Sequence, residues 1–229
     1  MKKFFLKKRY VVCVAVTVLF VVLFHCSGQD YEPVVLLTGF EPFAGMQFNA
    51  SEEGVRLYCE SDAFEGRARI SSMVLPVVYD EAARQLREAV DKLKPDIVIA
   101  FGISGESHYR IERVARNLDA CGAPDNRGEV RRSCRIIEGG LASYEALYPH
   151  AVLAQKLQER GLPWRFSDSA GGYLCNHVFY HLCHLTVSAS SSVYSSTLLH
   201  VPPLGKDADH GSLVEAINCA VEAALGRQS

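Results

Sequence analysis

The sequence predicts an α/β fold, a three-layer sandwich whose mixed, mostly parallel and twisted sheet carries helices on both faces. Three observations lead there. Short apolar, β-branched runs alternate along the chain with amphipathic helical patterns. One of those runs, Ile97-Val98-Ile99-Ala100-Phe101, is apolar throughout, as in a central strand covered on both faces. Finally, the most unusual segments fall at predicted strand ends or in the loops after them, where open sheets of this kind bind ligands.

Taken in order, Val34-Val35-Leu36-Leu37-Thr38 is the first strand. Ser51 to Glu60 reads as a helix, capped by Ser51 with Glu52 and Glu53 in its first turn, where carboxylates meet unpaired amides. Ile70 to Val78 is a second strand. Asp80 to Lys94 places Ala82, Ala83, Leu86, Ala89, Val90 and Leu93 on one stripe, the pattern of a helix with one buried face. Pro95-Asp96 ends it and the apolar strand over 97–101 follows. Helical patterns recur over Ala142 to Arg160 and His210 to Leu225, with strands at Trp164 to Ser169 and Thr197 to Val201.

Organisation is simple after the N-terminus. Lys2, Lys3, Lys7, Lys8 and Arg9 precede an apolar run from Val11 to Phe24, short for a bilayer span of roughly 20 residues but suited to the core of an export signal. Residues 1–29 are therefore expected to be an export signal or an N-terminal membrane anchor, with an exported or membrane-tethered protein in a bacterial periplasm or cell envelope. Leu23-Phe24-His25-Cys26-Ser27-Gly28 leaves cleavage, lipidation at Cys26 and an uncleaved anchor open. Residues 30–229 are expected to form a single domain. The net charge of −2 and the lack of any later Lys/Arg block exclude nucleic acid as a partner.

Cys175 carries the chemistry. In Gly171-Gly172-Tyr173-Leu174-Cys175-Asn176-His177 two glycines precede it and a helical run follows, so the thiol sits at a loop-to-helix junction. Unpaired amides and the positive dipole end there favour thiolate over thiol. Downstream, Ser196 to Pro202 reads as a buried strand that delivers His200 at its end, and a cysteine with a histidine in such settings points to a thiol hydrolase. Taken singly, such residues are more often structural than catalytic: Cys175 a buried inert thiol, His200 a core histidine and Glu112 a surface partner of Arg113 or Arg116, while Phe40 and Phe43 fit core packing as well as a pocket. Cys175, His177, His181, Cys183 and His184 also supply soft ligands, with His177 and His181 at i, i+4, but no acidic residue stands between those histidines as a catalytic zinc helix would have. No metal and no cofactor is expected. If the chain is exported, Cys121 and Cys134 are either a disulfide around Pro124-Asp125-Asn126 or two free thiols.

Several blocks in register resemble one family. Thr38-Gly39-Phe40-Glu41-Pro42-Phe43 with Asn49 and Ser51, Ile111 to Asn117, Pro124-Asp125-Asn126, Cys175 to Tyr180 and His200-Val201-Pro202 resemble pyroglutamyl peptidase I, a family of cysteine peptidases. The resemblance implies a phosphorylase/hydrolase-like fold, a substrate class of peptides with an N-terminal pyroglutamate, and a homo-oligomer, often a tetramer. It implies a catalytic triad of Cys175 as nucleophile, His200 as base and later acid, and Glu112 orienting the imidazole. Phe40 and Phe43 match the ring-sandwiching phenylalanines. Val77, Ala123 and Tyr173, with Leu174 beside it, fall where the pocket wall lies; Asn49 braces the phenylalanine loop. The backbone of Gly102 and Ile103 falls where the lactam is hydrogen-bonded. A neutral lactam calls for an apolar pocket with a few directed hydrogen bonds.

The chain departs from that pattern between Gly102 and Glu112, where Ser104-Gly105-Glu106-Ser107-His108 replaces a Gly-Arg pair, at Ile111 in place of a proline, and at Gly122 in place of an arginine. The alternative reading is accordingly a catalytically impaired, membrane-tethered homologue that binds peptides.

Overall fold

The computed structural model describes residues 31–60, 67–205 and 210–226. The proposed export signal or anchor, with Cys26, lies outside the described residues.

The central layer is a sheet of six strands. It holds β1 (Val34–Phe40), β2 (Arg69–Leu75), β3 (Ile97–Ile103), β4 (Tyr109–Glu112), β7 (Trp164–Ser167) and β8 (Ser195–Val201). The order is β2-β1-β3-β8-β4-β7, parallel except where β4 runs against β8. Two short strands, β5 (Val114–Arg116) and β6 (Ser143–Glu145), pair separately. Helices α1 (Ala50–Cys59), α3 (His150–Glu159) and α5 (Gly211–Leu225) supply residues to the core on one face. The core on the other face draws on α2 (Tyr79–Leu93) and α4 (Leu174–Thr186). Both faces of β1, β3 and β8 are covered, which is why these strands are buried along their whole apolar runs, Ile103 alone being partly exposed.

Local chemistry sets the boundaries. Asn49 rather than Ser51 caps α1, its Oδ1 accepting from the Ser51 amide at 3.0 Å, so the cap lies two residues before the serine. Lys94 ends α2 with a left-handed backbone (φ 50°), just before Pro95. The helical pattern over Ala142 to Arg160 is only half realised. Residues 143–145 pair as β6 with β5, and α3 begins after Pro149, whose ring cannot continue a helix from upstream. Hydrophobic spacing is shared by the two conformations over so short a stretch, and pairing with β5 decides between them. Strand β4, too short and too polar to stand out, was not anticipated either; it exists because β8 and β7 flank it.

Candidate active site

Parallel strands β3 and β8 end side by side, with Gly102 opposite His200 in register. Next to β8, antiparallel β4 brings Glu112 opposite Leu198 and Arg110 opposite His200. Over these ends sits the start of α4. Cys175 is the second residue of that helix, in the turn whose amides have no intrahelical acceptor. The loop before it closes tightly, since Gly171 has φ +85° and a Cβ on Gly172 would meet the Ala120 carbonyl oxygen at 2.7 Å.

The three elements converge. His200 Nδ1 lies 2.8 Å from Glu112 Oε1, with both side chains buried. On its other side the imidazole hydrogen-bonds the Cys175 thiol. Burial alone would lower the His200 pKa, but the Cys175 sulfur and the Glu112 carboxylate outweigh it and raise the group to about 9. The imidazole is thereby favoured in its positively charged form at neutral pH. Gly102 is what lets the two groups approach: a Cβ there would stand 2.7 Å from Cys175 Sγ and 3.2 Å from His200 Cδ2.

Cys175 and His200 open into a cleft of about 610 Å³, which Phe43, Ile103, Tyr173 and the segment Ser167 to Gly171 also line. The Phe43 and Tyr173 rings are 5.9 Å apart, and Tyr79 meets Tyr173 edge-on at 5.8 Å. The Tyr173 hydroxyl donates to the Pro124 carbonyl at 2.8 Å, and burial pushes its pKa up to about 12, so it stays a neutral donor. Among the other expected wall residues, Phe40, Val77 and Leu174 are buried behind the cleft surface, while Ala123 is exposed on the Pro-Asp-Asn loop. Asn49 braces the phenylalanine loop, its Nδ2 donating to the Glu41 carbonyl at 3.0 Å.

Several contributors were missed by sequence reasoning. Glu41 Oε1 accepts from the Val77 amide at 3.0 Å and from Asn126 Nδ2 at 2.8 Å, tying three loops together. Asp125 organises its own loop by accepting from the amides of Arg127 and Glu129 at 2.9 Å and of Tyr79 at 3.2 Å. Asn176, next to the thiol, is buried; its Oδ1 accepts from the Arg116 amide and its Nδ2 donates to the carbonyls of Arg116 and Leu118. Arg110, whose Nη2 is 2.9 Å from Glu112 Oε1, and Arg116 line the cleft as well. Period-two spacing of Arg110 and Glu112 was the available signal, because alternate residues of a strand share a face.

The remaining soft groups of α4 are otherwise engaged. His177 Nδ1 is 2.9 Å from Asp119 Oδ2, His184 Nδ1 is 2.9 Å from the Tyr144 hydroxyl, and Cys183 is buried with its pKa raised by desolvation. Cys121 and Cys134 are free thiols; Cys134 pairs its backbone with Asp119, while the Cys121 amide donates to the Arg131 carbonyl.

An α/β sandwich presenting a buried acid–histidine pair to a thiol at a helix start defines a cysteine hydrolase. The sequence model of the pyroglutamyl peptidase family matches residues 34–225, and the chain belongs to that family of cysteine peptidases. It is 36% identical over 201 residues to a pyrrolidone-carboxylate peptidase of Yersinia pestis, covering 83% of this chain and 92% of the relative. Among solved structures, pyroglutamyl peptidase I of Bacillus amyloliquefaciens superposes with a TM-score of 0.79 at 32% identity, over 85% of this chain and 96% of that one. The pyrrolidone carboxyl peptidase of Pyrococcus furiosus gives the same score and identity, over 84% and 98%.

These comparisons correct the expectation of an exported or membrane-tethered protein in a periplasm or cell envelope. The likeness that defines the family runs over residues 34–225, and the relatives it reaches are peptidases of this domain alone, covered over 92% and 96% of their length. Among the described residues no helix is long and apolar enough to cross a membrane. A basic stretch followed by an apolar run is a compositional signal, and it does not by itself place a protein.

Proposed function

We propose that Cys175, His200 and Glu112 act as a triad to hydrolyse the amide bond after an N-terminal pyroglutamyl residue, within one catalytic domain over residues 30–229. The observation that carries this reading is the Glu112–His200–Cys175 chain of contacts facing the cleft. The Cys175 thiolate attacks the pyroglutamyl carbonyl while His200 holds the proton. Amides of the first turn of α4 stabilise the oxyanion. As the tetrahedral intermediate collapses, the C–N bond breaks, the imidazolium gives its proton to the leaving amine, and a thioester remains. His200 then takes a proton from water, whose oxygen attacks the thioester and frees pyroglutamate and the thiolate. Glu112 holds the imidazole in its working tautomer throughout.

The lactam lies against Phe43 and Tyr173, with Phe40, Val77, Ala123 and Leu174 forming or backing the wall. The backbone of Gly102 and Ile103 supplies its hydrogen bonds, and Asn49 acts only by bracing the loop. The family resemblance adds a homo-oligomer, up to a tetramer, which light scattering on the purified protein measures. Release of a fluorophore from a pyroglutamyl amide, lost in Cys175→Ser, is the expected result. A folded wild-type protein with no turnover overturns the reading.

A further inference from the structure

At about 610 Å³ the cleft extends beyond what a five-membered lactam fills, and part of its lining is charged. Phe43 and Tyr173 form the aromatic part of the lining, to which the lactam belongs. The lining also includes the segment Ser167 to Ser169, and two arginines are fastened to it. Arg110 Nη2 donates to Ser167 Oγ at 2.9 Å and to the Ser169 carbonyl at 2.6 Å; Arg116 Nη2 donates to the Asp168 carbonyl at 3.2 Å. With the acyl carbon at Cys175 and the lactam on the aromatic part, the rest of the lining, this segment included, is left for the peptide beyond the scissile bond.

Charge on that wall is not balanced. The Asp168 carboxylate is held by Arg113, with its oxygens 2.8 and 2.7 Å from Nε and Nη2. Arg110 stands against Glu112 at 2.9 Å. Arg116 is exposed, lines the cleft, and has no carboxylate within ion-pair distance among the described residues, its charge reaching Asp168 only at longer range. Its guanidinium therefore keeps most of its donors for a ligand.

We infer that Arg116, supported by Arg110, makes the leaving-group side of the cleft a subsite for a carboxylate. Two sources share that chemistry: an acidic side chain on the residue after pyroglutamate, and the free C-terminal carboxylate of a very short substrate. The inference rests on the peptidase reading and adds a substrate preference to it.

The test compares kcat/KM for four peptides at low ionic strength. Pyroglutamyl-Glu-Ala-amide against pyroglutamyl-Gln-Ala-amide reads the side-chain source; pyroglutamyl-Ala against its amide reads the terminal one. The expected preference for the anionic member is about fivefold in at least one pair, the upper range for a partly exposed ion pair, and it shrinks as salt rises. Arg116→Glu is expected to reverse that ratio. Its side chain is exposed and its main-chain bonds to Asn176 do not depend on it, so the fold is retained, as thermal unfolding checks. Ratios near one in both pairs, or a preference that Arg116→Glu leaves unchanged, overturn the inference while leaving the peptidase reading intact. Failure to cleave any of the four peptides removes both.

Discussion

Replacing Gly102 by alanine adds a single methyl group at the one point where strand, thiol and imidazole meet. That carbon would lie 2.7 Å from Cys175 Sγ and 3.2 Å from His200 Cδ2. Ordinary contact begins at about 3.5 Å, so the sulfur must retreat by roughly 1 Å, or the imidazole must turn away from it. His200 cannot turn freely, because Nδ1 is held 2.8 Å from the buried Glu112. The thiol therefore gives way and leaves its line to the imidazole. A misplacement of that size in a reacting group costs about a hundredfold in kcat, roughly 2.7 kcal/mol of barrier. Fluorophore release from a pyroglutamyl amide reads kcat, and the rate of Cys175 alkylation at neutral pH reads the thiolate separately; both are expected to fall. The strand itself tolerates alanine, so the urea midpoint should move far less than activity does. A Gly102→Ala enzyme within threefold of wild type would refute the proposed alignment of thiol and imidazole.

Other outcomes follow from the same geometry. The raised His200 pKa makes its proton available to the leaving amine up to about pH 9, so kcat/KM should fall as pH rises through that value. By the same sign, stability owed to the charged imidazole is complete below its ordinary value of 6.5 and is lost as pH rises through about 9. Glu112→Gln keeps the shape but removes the charge; the alkaline limb should move to lower pH and kcat should drop by about 10²- to 10⁴-fold, with an unmoved limb counting against Glu112 as the orienting group. Asn176→Ala removes three buried hydrogen bonds to the strand-end loop and should cost about 2–4 kcal/mol by urea unfolding, while an unchanged midpoint would show that the loop holds itself.

Much of the fold was legible because it is written in local patterns. The strands β1, β3 and β8 are apolar runs, and α2 and α5 are stripes of buried residues, so the sandwich could be read from one chain. Strand β4 could not. Its four residues include Arg110 and Glu112, and they become a strand only when β8 offers antiparallel bonds on one side and β7 parallel bonds on the other. Nor could residues 143–145 be told from helix before β5 lay beside them.

The site divides in the same way. Residue types, the loop-to-helix setting of Cys175, the strand-end setting of His200 and the family to which the motifs belong were all determined by the sequence, since each depends on neighbours along the chain. Tertiary structure alone decided that Glu112 meets the imidazole and not Arg113, that Gly102 makes room for the thiol, and that Arg110 and Arg116 look into the same cleft. Those facts are distances between residues far apart in the chain, set by the register of β4 on β8 and β3 beside it, and no local pattern encodes a register between strands.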